Sequence, residues 1–218
     1  MRSMFALTLV CALAATAAAN GDNEISGNST TRSLRSSSAD ALTGDPLVGG
    51  GIGIARALDV LGSAAGGDHL RLWATADIMW ATADGTMFQT LDTHMFDTMM
   101  TVGARLRYTP YRFVAMSAGL ALGSQHESVR LIDSADNASD TGWGAVARGS
   151  LQADLLAESP SFAFGLRFET GYVAASGVGL TPKQERTGDM LTIPATSASI
   201  GHLDLSGPYL NVALVAQF

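Results

Sequence analysis

The chain has 218 residues, of which 47% are hydrophobic and 15% charged, with 24 glycines and a formal net charge of −7. The length suits one domain or one domain plus a tail. The charged fraction lies well below the roughly 25% of soluble globular chains, and glycine lies above its usual roughly 7%; this excludes a disordered chain, a coiled coil and an ordinary helical bundle. The acidic balance argues against a nucleic-acid partner, and no later run of about 20 apolar residues offers a membrane-crossing helix.

Met1 and Arg2 lead into an apolar run from Met4 to Ala15, and Ala17-Ala18-Ala19 supplies the small residues of a signal-peptidase site. Residues 1–19 are therefore expected to be a secretory signal peptide, cleaved before Asn20. Cys11, the only cysteine, falls inside it, and Val10 stands where a lipoprotein signal needs a small residue. A mature chain without Cys11 has no thiol, disulfide or cysteine metal ligand.

Residues 20–46 are rich in Ser, Thr, Asn, Asp and Gly without an apolar period, and read as a flexible polar tail. Asn28-Ser29-Thr30 and, later, Asn137-Ala138-Ser139 fit the N-glycosylation pattern, which acts only in a eukaryotic secretory route. Arg32-Ser33-Leu34-Arg35 resembles the Arg-x-Leu-Arg translocation motif of oomycete secreted effectors, without the Glu-Glu-Arg run common behind it. That resemblance implies a soluble secreted effector; the alternative is a solvated basic patch.

From residue 69 onward apolar residues recur at every second position, the signature of strands. Leu70 to Trp80, Phe96 to Tyr108, Val114 to Leu122, Trp143 to Leu155, Phe162 to Tyr172 and Leu210 to Phe218 each carry an apolar parity. The opposite parity holds Gly, Ala and Ser together with Arg71, Asp77, Arg105, Arg107, Arg148, Asp154, Arg167 and Glu169. A water-facing sheet surface uses Thr, Lys and Glu more freely, and Lys183 is the single lysine. Large apolar residues facing lipid, with small and charged ones in a narrow lumen, fit better.

The aromatics add a second pattern. Tyr108, Phe162 and Phe218 sit at one end of the apolar parity, and Trp80, Phe96, Trp143 and Tyr172 at the other, as two membrane interfaces select. The connections near Thr109-Pro110 and Ser159-Pro160 are tight. The alternate ones, about 83–93, 124–141 and 175–206, read as long polar loops.

Residues 69–218 thus resemble the small outer-membrane β-barrel superfamily of Gram-negative bacteria. The segment Pro208 to Phe218 is similar to its C-terminal assembly signal, apolar residues at alternate positions closed by a terminal Phe. The resemblance implies the outer membrane as location, the lipid bilayer as partner, and recognition of Phe218 and its parity by the barrel-assembly machinery. The expected fold is all-β, an antiparallel up-and-down transmembrane barrel of eight strands spanning residues 47–218.

The strand count stays open at this point. Six strands are clear, and residues 47–61 add a seventh with Gly and Ala inward and Arg56 toward lipid, a placement costing about 2–4 kcal/mol at mid-membrane but little near an interface. The eighth has to come from 20–46 or 177–205.

No catalytic, cofactor or metal site is assigned. His69, His94, His126 and His202 lack metal spacing, and Gly49-Gly50-Gly51-Ile52-Gly53 lacks the Lys-Ser/Thr of a phosphate loop. Asp133, Asp136 and Asp140 miss the spacing of a calcium loop. His126-Glu127-Ser128 places a base and a nucleophile on one strand face, with Asp133, Asp136 or Asp140 to orient the imidazole. It resembles the chemistry of outer-membrane lipid A deacylases, whose His-x-Ser lies in a late strand and precedes Asn, whereas Val129 follows here. The inward charges are expected to pair across the lumen and plug it. A structural or surface-interaction barrel is the leading reading, with a lipid ester hydrolase and the soluble effector as alternatives.

Overall fold

A computed structural model describes residues 22–36, 39, 42–44, 46–58, 69–87, 91–132, 137–159, 162–184 and 201–218. The expected signal peptide and Cys11 lie outside the described residues. Eleven strands are present among them: β1 (Asn23–Arg32), β2 (Leu47–Leu58), β3 (Leu70–Met87), β4 (Leu91–Tyr111), β5 (Val114–Ile132), β6 (Asn137–Glu158), β7 (Ala163–Ala175), β8 (Val178–Leu180), β9 (Lys183–Gln184), β10 (Gly201–Leu203) and β11 (Gly207–Gln217). β1 to β7 pair antiparallel in chain order, and β11 closes the ring between β7 and β1. The result is an eight-stranded up-and-down barrel.

Its stagger follows from the registers. One circuit of the ladder starts at Arg32 opposite Tyr209, passes through Gly171, Ser150, Gly119, Arg105, Trp73 and Ala57, and arrives at Asp22. The circuit ends ten residues down β1 (32 − 22). Closure with that shear tilts the strands by about 40–45° from the barrel axis, which keeps the lumen only wide enough for side chains.

The eighth strand is β1, and this corrects the expectation of a flexible tail over 20–46. Asn23–Arg32 is paired on both edges, to β2 from Asn23↔Arg56 to Arg32↔Leu47 and to β11 from Glu24↔Gln217 to Arg32↔Tyr209. Its even positions turn the polar side chains of Glu24, Ser26, Asn28, Thr30 and Arg32 inward, and its outward positions are Ile25, Gly27, Ser29 and Thr31. A strand with no large outward residue beyond Ile25 shows no period of two in hydropathy, although its backbone is fully paired. The domain boundary at 47 moves accordingly to the start of β1.

β2 has the expected parity, with Gly49, Gly51 and Gly53 inward and Arg56 outward. A Cβ on Gly49 would lie 1.9 Å from the Trp80 carbonyl oxygen, so close approach of β3 requires glycine there. Arg56 stands opposite Asn23, at the same end as Phe218, whose backbone pairs with that of Asn23. Arg56 thus lies toward one end of the barrel wall rather than at its middle.

Two of the expected loops are largely strand. β3 and β4 pair up to Met87↔Leu91, and β5 and β6 up to Ile132↔Asn137. These strands of 18 to 22 residues exceed the roughly 9–11 needed for a membrane crossing and continue beyond the Phe96–Trp143 level. Above it the alternation inverts. On β5, Leu120 is 76% exposed and faces out, while Val129 and Leu131 are buried inside. On β4, Asp92 and His94 face out and Met95 faces in. The inward apolar residues, with Leu47 at the start of β2, meet chain that folds back onto them: Ala39 and Leu42 from the β1–β2 connection, and Val178, Leu180, Leu203 and Leu205 from the β7–β11 connection. β8 and β10 form a two-stranded sheet in this cap.

Candidate functional site

Among the described residues the lumen holds three polar tiers, with the apolar cluster of the upper half above them. In the lowest, Glu24 accepts from Arg105 (2.6 Å), from both terminal nitrogens of Arg167 (2.8 and 2.9 Å) and from Gln217 (2.9 Å). Arg167 also forks onto Asp154 at 2.7 and 2.9 Å, and Arg107 lies 3.5 Å from the same carboxylate. Arg105 and Arg107 stand over the ring of buried Trp73, at 5.1 and 5.4 Å. Three guanidinium groups thus share two carboxylates and one aromatic face, which holds cations in a space with little water.

The middle tier carries the opposite excess. Arg148 donates to Asp77 (2.5 Å) and to the Met79 sulfur (2.9 Å), while the Tyr209 hydroxyl donates to Glu169 (2.5 Å) and Asn211 adds a donor at 3.2 Å. One guanidinium here faces two carboxylates, so the two tiers compensate each other. In the upper tier Arg32 crosses from β1 to Asp97, and Gln125 donates to Glu127 at 2.5 Å. Asp97 and Glu127 are direct cross-strand partners, both buried. A cavity of ≈20 Å³ beside Arg32, Asp97 and Tyr209 has room for about one water.

Sequence reasoning placed Asp77, Arg105, Arg107, Arg148, Asp154, Arg167 and Glu169 in this network, and they are there. Arg71 is not. It is half-exposed at the rim and pairs with Asp22 at 3.1 Å. The residues missed are Glu24 and Arg32, on the unrecognised β1, and Gln125 and Glu127, in a stretch read as loop. The alternation of Gln125, Glu127, Val129 and Leu131 was the available signal, hidden because its polarity inverts partway.

The hydrolytic group does not assemble among the described residues. His126 and Ser128 share the outward face of β5, but no hydrogen bond joins them, and the His126 ring packs on Trp143 with centroids 4.8 Å apart. Asp140 is engaged elsewhere, accepting from the Thr181 backbone N–H at 2.6 Å. Asp133 and Asp136 lie outside the described residues. His94 instead meets Asp84 at 2.5 Å on the exposed outer face, His69 meets the Thr109 carbonyl at 3.0 Å, and His202 is exposed on β10. No group of three His, Cys, Asp or Glu residues suited to a metal occurs among the described residues. The glycine run lies within β2 and adjoins no helix. Of the Arg-x-Leu-Arg residues, Arg32 is buried in the lumen, Leu34 packs under the cap, and Arg35 stands 5.9 Å over the Tyr172 ring.

Fold and lumen together define a small β-barrel of the outer-membrane type, apolar outside and ion-paired within. No family model and no curated protein matches the chain. Among solved structures it is similar to a major outer membrane protein from Thermus thermophilus, with a TM-score of 0.52 at 11% identity over 88% of this chain and 99% of that one. Neisserial surface protein A aligns with a TM-score of 0.46 at 12% identity, over 93% of this chain and 100% of that one. Ail of Yersinia pestis aligns with a TM-score of 0.44 at 8% identity, over 90% of this chain and 95% of that one. The likeness is one of fold.

Proposed function

We propose that the protein is a sealed outer-membrane barrel that anchors and displays an extracellular extension, with a structural or surface-interaction role. The observation that carries this reading is the inversion along β4 and β5. Leu106, Val102 and Leu122 face out where Arg105, Thr101 and Ala121 face in, and above Phe96 the polarity reverses. A single strand needs opposite patterns only if its two halves meet opposite solvents, hydrocarbon below and water above. The lipid bilayer is the surrounding partner, and the C-terminal strand ending at Phe218 is the segment offered to an assembly machinery. The packed tiers and the cap favour a plug over a pore.

The test is a gel comparing boiled and unboiled barrel refolded from urea into detergent, followed by conductance in a planar bilayer. A heat-dependent mobility shift without channel steps is expected. A chain that stays monomeric in water without detergent would overturn the membrane reading, and the effector alternative would then lead. Steady ion conductance would overturn the sealed lumen alone.

A further inference from the structure

The outward face of β1 carries small residues at Gly27 and Ser29. Gly27 and Ser29 form the floor of a groove whose banks are Ile52 and Ile54 on β2 and Leu214 on β11. Three hollows of ≈360, ≈290 and ≈500 Å³ run along it, sharing Ile25 and Ile54 between the first two and Gly27, Ile52 and Leu214 between the last two. Neither backbone nor packing demands glycine at position 27, since a Cβ there would meet nothing within 4 Å. From Asn23 to Ser29 the groove is about 20 Å long, and with the strand tilt it spans about half the hydrocarbon thickness.

Its depth is set at one end. The groove starts beside Phe218 and Arg56, the end of the barrel where both described termini lie. In the membrane-embedded reading, on which this inference rests, that is the periplasmic interface. Arg56 is exposed there and its side chain makes no hydrogen bond or ion pair among the described residues, whereas nearby Arg71 is matched by Asp22. A second copy of the chain is a poor occupant. A two-fold axis along the membrane normal would set the two Arg56 side chains at the same depth across the contact, like charge against like charge.

We propose that this groove holds an anionic phospholipid of the periplasmic leaflet, its phosphate on Arg56 and an acyl chain lying over Gly27 toward Ser29. The groove supplies apolar banks and an open floor for the chain, and Arg56 a cation at headgroup level for the phosphate. Retention of that lipid fills a hollow that freely moving chains pack poorly.

The experiment is native mass spectrometry of the refolded, heat-shifting barrel from micelles containing phosphatidylglycerol or phosphatidylcholine with the same acyl chains. The wild type is expected to retain one phosphatidylglycerol in preference to phosphatidylcholine. Arg56→Gln should reduce that preference about fivefold, the weight of one basic side chain beside an anionic membrane surface. Gly27→Leu, which the open space accommodates, should lose both lipids while keeping the heat shift. Equal retention by Gly27→Leu, or an unchanged preference in Arg56→Gln, overturns the proposal. So does a disulfide-linked dimer of Ser29→Cys in phosphatidylglycerol vesicles, which would assign the groove to a second copy. A wild type that shows no heat shift refutes the membrane reading instead; one that shifts but holds no lipid refutes the groove alone.

Discussion

The lower and upper halves of the barrel solve the same packing problem with opposite chemistry. Below Phe96 and Trp143 the interior is Arg105, Arg107 and Arg167 locked on Glu24 and Asp154, and the exterior is Leu, Ile, Val and Phe. Above, the interior is Met95, Val129, Leu131 and the returning leucines of the cap, and the exterior carries Asp84, His94 and Arg130. The outside follows the solvent, and the inside is whatever the outside leaves over. The lower half encloses too little volume for a hydrocarbon core built from both parities, so it uses charges that satisfy one another. The upper half receives two chain segments from outside and buries them as a soluble protein would.

Breaking the lower half should have the largest effect. Glu24→Ala leaves Arg107 and Arg167 on Asp154 alone and Arg105 with no carboxylate among the described residues, and removing one partner of a buried ion network costs about 3–5 kcal/mol. The urea midpoint of the folded band should fall accordingly; an unchanged midpoint would mean that the network is not what holds the lower half together.

Truncating the cap tests whether the halves are independent. Leu180→Ala removes a fully buried side chain, a change worth about 2–5 kcal/mol at the site, yet it touches only the upper cluster. Protease cleavage within the connections of the upper half should accelerate while the heat-modified band persists. Loss of both together would show the two halves to be one cooperative unit.

A smaller effect separates two glycines on adjacent strands. Gly49→Ala forces its methyl against the Trp80 carbonyl and should destabilise by about 1–3 kcal/mol, whereas Gly27→Ala should change stability by less than about 0.5 kcal/mol. Equilibrium urea titration of both variants reads the difference. The smallest expected change is Arg71→Ala, which removes an exposed rim pair with Asp22; such pairs contribute about 0–1 kcal/mol, so the same titration should barely register it.

The clearest strands were legible because one solvent acts along their whole readable length. Leu210 to Phe218 and Phe162 to Tyr172 alternate without interruption, and their parity matches the structure residue by residue. β1 was illegible for a local reason. Gly27, Ser29 and Thr31 occupy an outward face where neighbouring strands provide the apolar surface, so hydropathy along the chain is flat. The extensions of β3 to β6 were illegible for a different reason, since a strand whose alternation inverts midway reads as a polar loop beyond the inversion. The proposed His126 and Ser128 pairing with Asp140 failed because Asp140 is turned toward Thr181.

By itself, the sequence determined the barrel class and most of the inward charges, because each is a parity along a single strand. Only the tertiary structure decided that β1 closes the wall, that Glu24 rather than any later residue joins the three lower arginines, and that leucines of the β7–β11 connection pack against the upper inward face. Those outcomes depend on strands far apart in the chain meeting at a fixed shear, and a linear pattern carries no record of which residue lies across the lumen.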